Sequence, residues 1–312
     1  MRPTTLLELG DTYGLAPPEP GDGTFSTFLR LYAAACETLR HPDDMERLVR
    51  EVAEDAAADG AVWIEPAEWP RPGAAERLGL SSSEAVVELV LDAARRAEHQ
   101  TGVGIGVIVQ ANRLSPVTEA LGLARLAATL VGRGVVGFGL AGDEAARPPE
   151  PFAEAFAIAR TAGLISAPHA GEHAGPDSVL GALDALGAQR IAHGVRAIED
   201  PRVVERLARE QVCLDVCPTS NVQLRAVPSL QDHPLARLVE AGVPVSLNAD
   251  DPLMFGSGLL QEYELARDAF GLDDETLAAI AATSIRASGA PSSLKAAALD
   301  GIDRWLRDAS PM

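Results

Sequence analysis

Two histidines and a glutamate stand at points of this sequence where short apolar runs end. His169 and Glu172 belong to the segment His169-Ala-Gly-Glu172, and His193 closes the run Arg190-Ile-Ala-His193. A histidine nitrogen can bind a divalent metal, and a glutamate three residues later can move a proton on a substrate held over that metal. Histidine also changes its protonation near neutral pH, so His193 could orient or deprotonate a water molecule. The residue types favour metal-assisted hydrolysis, although each residue taken singly is also compatible with a structural role.

Two adjacent aspartates and a glycine extend this set. Asp250 and Asp251 follow the apolar run 243–249 and precede Pro252. Adjacent carboxylates after a buried strand cost free energy unless one meets a metal and the other meets a hydrogen-bond donor. A turn cap accounts for one aspartate more readily than for two. Gly142 follows another apolar run, where a residue without a side chain lets the backbone approach a flat ligand closely, and turn formation is its alternative role.

The elements that would position these residues form one repeating pattern. Short apolar runs alternate with amphipathic segments, which is typical of β-α units around a parallel barrel. Seven strands are predicted, over 62–67, 103–110, 135–142, 165–170, 190–194, 212–218 and 243–249. A (β/α)8 TIM barrel builds its active site from loops at the carboxyl ends of its strands, and the candidate residues all stand at such ends. The sequence therefore predicts an α/β barrel of the metal-dependent hydrolase type, as a single domain over 1–312.

Helices are predicted before, between and after the strands. The clearest ones lie at the two ends of the chain, over 25–39, 43–59, 271–288 and 292–308. Ser81 and Glu84 have the spacing of a capping box, and Ser115 followed by Pro116 is typical of a helix start. Residues 15–23 are rich in proline and glycine and are predicted to form a loop.

Composition narrows the kind of partner. The 312 residues carry a formal net charge of −19, and the isoelectric point is near 4.7. Such a charge repels nucleic acid and anionic membrane surfaces, so we expect neither as a partner and expect a small molecule instead. We find no apolar stretch long enough to span a membrane and no basic, apolar leader, so we expect a cytoplasmic protein. The three cysteines are too few for a disulfide framework.

With these residues in place, the chain resembles the adenosine deaminase family, a branch of the metal-dependent amidohydrolase barrels. The resemblance runs nearly end to end. It rests on segments that occur in the family's order: Leu140-Ala-Gly-Asp-Glu144, His169-Ala-Gly-Glu172, His193-Gly194, Cys217-Pro-Thr-Ser-Asn221 and Ser246-Leu-Asn-Ala-Asp-Asp-Pro252. Such an ordered set is highly specific. It implies zinc-dependent hydrolytic deamination of a 6-aminopurine nucleoside, such as adenosine or deoxyadenosine, to the 6-oxo purine and ammonia.

The resemblance also implies a catalytic centre. His169 and Asp250 are similar to the family's zinc ligands, with one zinc ion per chain as the cofactor. Glu172 is similar to the acid that protonates the purine ring nitrogen, and His193 to the residue that positions the attacking water. To hold a proton at neutral pH, Glu172 needs a raised pKa, which we expect a closed apolar pocket to provide.

A purine-binding region is implied in the same way. Gly142 and Asp251 resemble the groups that hold the purine by its ring nitrogens. The family also has an apolar lid over the sugar of the substrate. The residues of this chain that resemble it are Phe25, Phe28, Leu29 and Tyr32.

Three departures from the family pattern change the expectation. The family carries a His-x-His pair on its first strand, whereas this chain begins at Met1 just after the place of that pair. We therefore expect the first strand and two zinc ligands to be missing, Met1 to be a shortened start, and zinc to bind weakly. The second strand usually ends in aromatic-x-Glu-x-Arg but here reads Trp63-Ile-Glu-Pro-Ala67, and the fourth usually carries an aspartate where Gly139 stands. This chain therefore lacks both the arginine of the second strand and the aspartate of the fourth. Because these two charged groups are absent, an adenine compound related to adenosine is also a candidate substrate.

Two alternatives stay open. A catalytically silent barrel would bind a purine or a protein partner without zinc, but it has less reason to keep Glu172, His193, Asp250 and Asp251. Another amidohydrolase that acts on a non-purine amine or amide would keep the metal residues, but it has less reason to keep Gly142 together with Asp251.

Overall fold

The computed structural model describes residues 1–16 and 24–309. Its nine strands are β1 (Trp63–Ile64), β2 (Ala67–Glu68), β3 (Gly104–Ile105), β4 (Val107–Asn112), β5 (Val135–Ala141), β6 (Ile165–Ala170), β7 (Arg190–His193), β8 (Cys213–Val216) and β9 (Val245–Leu247). Seven of them form one sheet in the order β2-β4-β5-β6-β7-β8-β9, and β1 pairs with β3 beside it. Every pairing between these strands is parallel. Parallel strands that neighbour one another in chain order have the topology of a (β/α)8 barrel, so the predicted fold class is confirmed.

The predicted strands are all present, and the first two are each divided into two pieces. The first is interrupted at Pro66, which has no N–H to donate, and the second at Gly106. The backbone ladder nevertheless continues across both breaks. The N–H of Gly106 donates to the carbonyl of Ile64, and the N–H of Ile108 donates to the carbonyl of Pro66, each at 3.0 Å. Within the residues that the structure describes, no pairing joins β2 to β9.

Helices cover the outside of the sheet. Those within the described residues are α1 (Pro3–Tyr13), α2 (Phe25–Glu37), α3 (Pro42–Ala58), α4 (Ala74–Arg77), α5 (Ser83–Thr101), α6 (Val117–Thr129), α7 (Ala153–Thr161), α8 (Pro176–Leu186), α9 (Pro201–Glu210), α10 (Pro218–Gln223), α11 (Leu235–Glu240), α12 (Pro252–Phe255), α13 (Leu259–Phe270), α14 (Asp274–Ala287) and α15 (Ser292–Ala309). Across the described part of the chain, none of them combines the length and apolar character that crossing a bilayer requires.

Two predicted helix starts are displaced by one residue. Ser82 caps α5 in place of Ser81, because the Ser82 hydroxyl accepts the N–H of Ala85 at 3.2 Å. Pro116 occupies the capping position before α6, so the proline precedes the first helical residue. The loop predicted over 15–23 falls mostly on residues outside those described.

The core lies between the sheet and its helices. One apolar cluster surrounds β4 and β5, where the rings of Phe138 and Phe156 pack edge to face with centroids 5.0 Å apart. A second cluster surrounds β7, β8 and β9 and includes Leu214, Leu235 and Leu238, all fully buried. Apolar side chains thus fill the space between the strands and the helices that pack on them. The candidate catalytic residues lie outside these clusters, at the carboxyl ends of the strands.

Candidate functional site

The residues predicted to do chemistry lie at the carboxyl ends of neighbouring strands. His169 is the penultimate residue of β6, and His193 ends β7. The parallel register places Ala170 beside His193, and the rings of His169 and His193 have centroids 5.3 Å apart. Glu172 lies on the loop after β6, and Asp250 lies on the loop after β9. The barrel thus brings together side chains that are far apart in the sequence.

Three of these side chains converge on one point. Nε2 of His193 lies 3.7 Å from Oε2 of Glu172 and 4.0 Å from Oδ2 of Asp250. His193 and Glu172 are buried, and the side chain of Asp250 is 19% exposed. His193 and Asp250 also adopt left-handed backbone conformations, with φ of 65° and 56°. Residues with a Cβ rarely adopt this conformation, and such strained positions concentrate at functional sites.

The electrostatic environment of Glu172 differs from the expectation. Burial alone raises the pKa of this carboxyl, but His193, His173 and His169 outweigh burial and lower the pKa to about 2. Nε2 of His173 lies 3.4 Å from Oε1 of Glu172, which is buried and has no hydrogen-bond partner among the described atoms. The expectation of a raised pKa is therefore wrong, because the carboxylate stands among imidazoles and not in a purely apolar pocket.

The pKa values of Asp250 and Asp251 are raised, which is opposite to the shift at Glu172. Burial raises the pKa of Asp250, while His193 opposes this effect and Glu172 reinforces it. The Ser220 hydroxyl donates to Oδ2 of Asp250 at 2.5 Å. Burial and the adjacent carboxylate of Asp250 raise the pKa of Asp251 to about 7. The raised pKa favours the protonated form of Asp251, which can donate a hydrogen bond.

Metal-binding donors are present, in a set that differs from the expected pair. Within 1–16 and 24–309, the candidate metal group consists of His193, Cys217 and Asp250, whose ligand atoms all lie within 4.8 Å of one another, and His169 is not part of it. Nδ1 of His169 is nevertheless buried without a hydrogen-bond partner in the described structure. Burial lowers the pKa of His169 to about 4, so its imidazole is neutral at pH 7. Imidazole and carboxylate donors of this kind fit a zinc ion.

Gly142 sits where a side chain has no room. Its φ is 95°, and a Cβ at this position would lie 2.8 Å from Oδ1 of Asn112 and 3.3 Å from the backbone nitrogen of Arg113. Both the conformation and the space therefore require glycine. The structure therefore accounts for glycine at this position, and contact of its backbone with a flat ligand stays a prediction.

A buried carboxylate that sequence reasoning left without a role organises the loop after β6. Glu144 is 4% exposed and accepts hydrogen bonds from four consecutive backbone N–H groups, those of residues 171–174. Arg113 is fully buried and donates to the carbonyl of His169. The loops after β4 and β5 thus hold both ends of the segment His169–Glu172. The motif around Gly142 contains Glu144, but nothing in the sequence reveals which backbone groups it meets.

Helix α2 lies against this end of the barrel. Phe25 packs on the ring of His173 with centroids 4.4 Å apart, and Phe28 stacks on Phe255 of α12 at 5.5 Å. The ring of Tyr32 lies 6.1 Å from that of Phe28. Aromatic residues of α2 therefore contact His173, on the loop after β6, and Phe255 of α12, while their role as a lid stays a prediction.

Buried charged side chains near the predicted strand 62–67 form an ion-pair network. Arg190 of β7 pairs with Glu65 and, at 2.8 Å, with Asp215 of β8. Arg190 thus places a cation beside Glu65 in this chain. At Gly139, a Cβ would lie 2.9 Å from Oε1 of Gln110, so a neutral amide occupies space next to the position of the absent aspartate.

Parallel strands that carry histidines and carboxylates at their carboxyl ends define a hydrolase barrel of the amidohydrolase type. The sequence model of the adenosine deaminase family matches residues 1–305, so the chain belongs to the adenosine deaminase family. A protein of Streptomyces coelicolor named putative adenosine/adenine deaminase is 48% identical over 322 residues, which cover 98% of this chain and 93% of the relative. The names of such relatives are those of hydrolases that act on C–N bonds, and the chain is an enzyme of this class.

Solved structures agree with this family assignment. The crystal structure of adenine deaminase from Arthrobacter aurescens is 33% identical, with a TM-score of 0.89, and the match covers 98% of this chain and 95% of that one. An amidohydrolase from Burkhoderia ambifaria, solved with bound zinc, is 24% identical, with a TM-score of 0.84, and the match covers 99% of this chain and 88% of that one. At that identity the second structure supports the fold alone.

Proposed function

We propose that this enzyme hydrolyses the 6-amino group of an adenine nucleoside, such as adenosine or deoxyadenosine, to give the 6-oxo purine and ammonia. The observation that carries the proposal is the position of His193 Nε2, 3.7 Å from Glu172 and 4.0 Å from Asp250. A proton carrier, an orienting imidazole and a metal-binding carboxylate then face one substrate position. This is the set of groups that hydrolytic removal of an amine requires.

In this proposal Glu172 gives a proton to a ring nitrogen of the purine, which makes the amino-bearing carbon electrophilic. Oε1 of Glu172 has no hydrogen-bond partner in the described structure, so no protein group competes for a hydrogen bond from this oxygen. The pKa of Glu172 is lowered to about 2, burial notwithstanding, by His193 and the other histidines. Glu172 must therefore take up a proton as the substrate binds. A neutral purine packed against this carboxyl disfavours its charged form, which raises its pKa in the required direction.

His169 and Asp250 are the residues that we propose to hold zinc. His169 is neutral at pH 7 because burial lowers its pKa to about 4, and its Nδ1 has no protein partner among the described residues. When bound, zinc would supply a water-derived nucleophile at neutral pH. His193 would orient that nucleophile toward the purine, and Ser220 would hold the carboxylate of Asp250 through its 2.5 Å hydrogen bond.

Gly142 and Asp251 are proposed to hold the purine. A purine ring nitrogen with a lone pair needs a donor, and a carboxyl whose pKa is raised to about 7 by burial and by Asp250 can donate. The backbone at Gly142 carries no side chain that would block a flat ring.

The test is ammonia release from adenosine, deoxyadenosine and adenine by the purified chain, with and without added zinc. Adenine is included because relatives named adenine deaminase share the family and the fold of this chain. Zinc-stimulated deamination of any of the three supports the proposal. Binding of a purine without turnover, at every zinc concentration, would instead favour the catalytically silent barrel.

A further inference from the structure

Three buried side chains form a hydrogen-bonded row behind the candidate site. Nδ2 of Asn221 lies 3.0 Å from Nδ1 of His193, and Nε2 of His233 lies 3.2 Å from Oδ1 of Asn221. The three residues are 2%, 0% and 6% exposed, for His193, Asn221 and His233 in turn. Buried polar groups of this kind must satisfy one another, so the direction of each bond constrains the next.

The hydrogen bond at the His233 end of the row has only one possible direction. The backbone N–H of Leu235 donates to Nδ1 of His233 at 3.2 Å. A backbone N–H can only donate, so Nδ1 of His233 carries a lone pair and the proton of the neutral ring must be on Nε2. Burial lowers the pKa of His233 to about 4, which keeps the ring neutral at pH 7.

The remaining directions follow in sequence. Nε2–H of His233 donates to Oδ1 of Asn221, which orients the amide with its NH2 group toward His193. That NH2 group can only donate, so it donates to Nδ1 of His193. A neutral His193 then has its lone pair on Nδ1 and its proton on Nε2.

We propose that Asn221 and His233 are positioning residues that hold the proton of His193 on Nε2, the nitrogen that faces Glu172 and Asp250. His193 then acts as a hydrogen-bond donor toward the substrate position. Of the two roles predicted for His193, orienting a water molecule is retained and deprotonating it is not. A protonated Nε2 also has no lone pair for a metal, which separates His193 from the ligands of the candidate metal group. The catalytic meaning of this inference rests on the proposed function, whereas the hydrogen-bond argument does not.

Nitrogen NMR of the histidine rings tests the inference directly. The chain has six histidines, and the ring signals of His193 and His233 are assigned from the variants His193→Gln and His233→Gln. We expect Nε2 of both rings to carry the proton at pH 7, before and after zinc is added. A wild-type His193 protonated on Nδ1, or a His193 Nε2 signal that shows metal coordination, overturns the inference.

The substitution Asn221→Asp reverses the direction of the hydrogen bond to His193 and keeps the shape of the side chain. A carboxylate can only accept, so His193 must present Nδ1–H to it, and the neutral ring then carries its lone pair on Nε2. We expect the NMR pattern of His193 to reverse and kcat to fall about 10–100-fold with little change in KM, as for other residues that orient a functional histidine. The matched control is Gln189→Glu, which adds the same charge just before β7 and keeps the acceptor used by the N–H of Ser166. This control should keep both the NMR pattern and kcat of the wild type.

If Asn221→Asp does not fold, His233→Phe provides the second variant. The new ring would lie beside Phe270, whose centroid is 5.2 Å from that of His233, and Asn221 would lose the donor that orients it. His193 should then show both tautomers. An unchanged His193 pattern in the folded Asn221→Asp or His233→Phe variant overturns the inference. If the wild-type chain deaminates none of the purines, the proposed function fails, and the tautomer is still decided by NMR alone.

Discussion

The carboxylate of Glu144 accepts the backbone N–H of Glu172 at 3.0 Å, although the two residues lie on loops that follow different strands. The same carboxylate accepts the N–H groups of His173 and Ala174 at 2.9 and 3.1 Å. The loop that carries the proposed proton donor is therefore held by a single buried anion. Backbone N–H groups that converge on one carboxylate make the geometry of the loop depend on that charge.

Glu144→Gln should lower kcat about 10–100-fold with little change in KM, the range found when a group that supports a functional side chain is removed. The amide presents an NH2 group to backbone donors, so the loop should lose order. Faster amide exchange in residues 171–174 would report this change independently of activity. Asp143→Asn is the control, because Asp143 accepts only from Ala145 and Ala146 among the described residues. Wild-type kcat and exchange in Glu144→Gln would contradict the role of Glu144.

Glu172→Gln should lower kcat about 10²–10⁴-fold, because it removes the transferable proton while keeping the shape of the side chain. Zinc content should stay at the wild-type level, since Glu172 is not proposed as a ligand. Ammonia release and metal analysis on the same preparation measure both effects. Glu205→Gln, on the exposed side of α9, is the control. Full activity in Glu172→Gln would show that another group supplies the proton.

Asp250→Ala should weaken zinc binding by more than about tenfold, the lower limit seen for residues that only support a ligand. Turnover should be lost with the metal. Competition with a chromogenic chelator measures the affinity, and Asp268→Ala on the exposed face of α13 is the control. Equal zinc affinity in Asp250→Ala and the wild type would remove Asp250 from the ligand set.

Arg190→Met should destabilise the fold by about 3–5 kcal/mol, because it leaves Glu65 and Asp215 buried without their cation. The midpoint of urea unfolding measures the change. Arg202→Met is the control: Arg202 is 89% exposed and pairs with Asp200 at the surface, where such pairs contribute less than about 1 kcal/mol. Similar effects of the two substitutions would mean that the interior network does not stabilise the barrel.

Glu68 should make stability fall as the pH rises. Burial raises its pKa from 4.5 to about 7, so the folded chain holds this proton more tightly than the unfolded chain does. Its contribution is fully present below pH 4.5 and is lost as the pH rises through 7. Glu68→Gln should therefore raise the melting temperature more at pH 8 than at pH 4.5. The exposed Glu76→Gln is the control, and an equal shift at both pH values would refute a raised pKa.

The spacing of apolar residues was sufficient to predict the barrel and to place the candidate site residues at the ends of its strands. The bounds predicted for β6 match those observed, and His169, Glu172 and His193 lie at strand ends as predicted. Both results follow from local features, because strands are short apolar runs and parallel strands expose their carboxyl ends on one side. The ordered motifs were likewise enough to assign the family before any distance was known.

Distances and charges between strands depended on the tertiary structure. Arg190 pairs with Glu65 across 125 positions of sequence, and Glu144 meets a loop about 28 positions away. The direction of the Glu172 pKa shift was predicted wrongly, since sequence alone does not show that histidines surround this carboxyl more effectively than burial desolvates it. A sequence pattern reports which residues face the core or a strand end. Only the tertiary structure decides which of those groups are close enough to interact electrostatically, because such interactions depend on distance and burial.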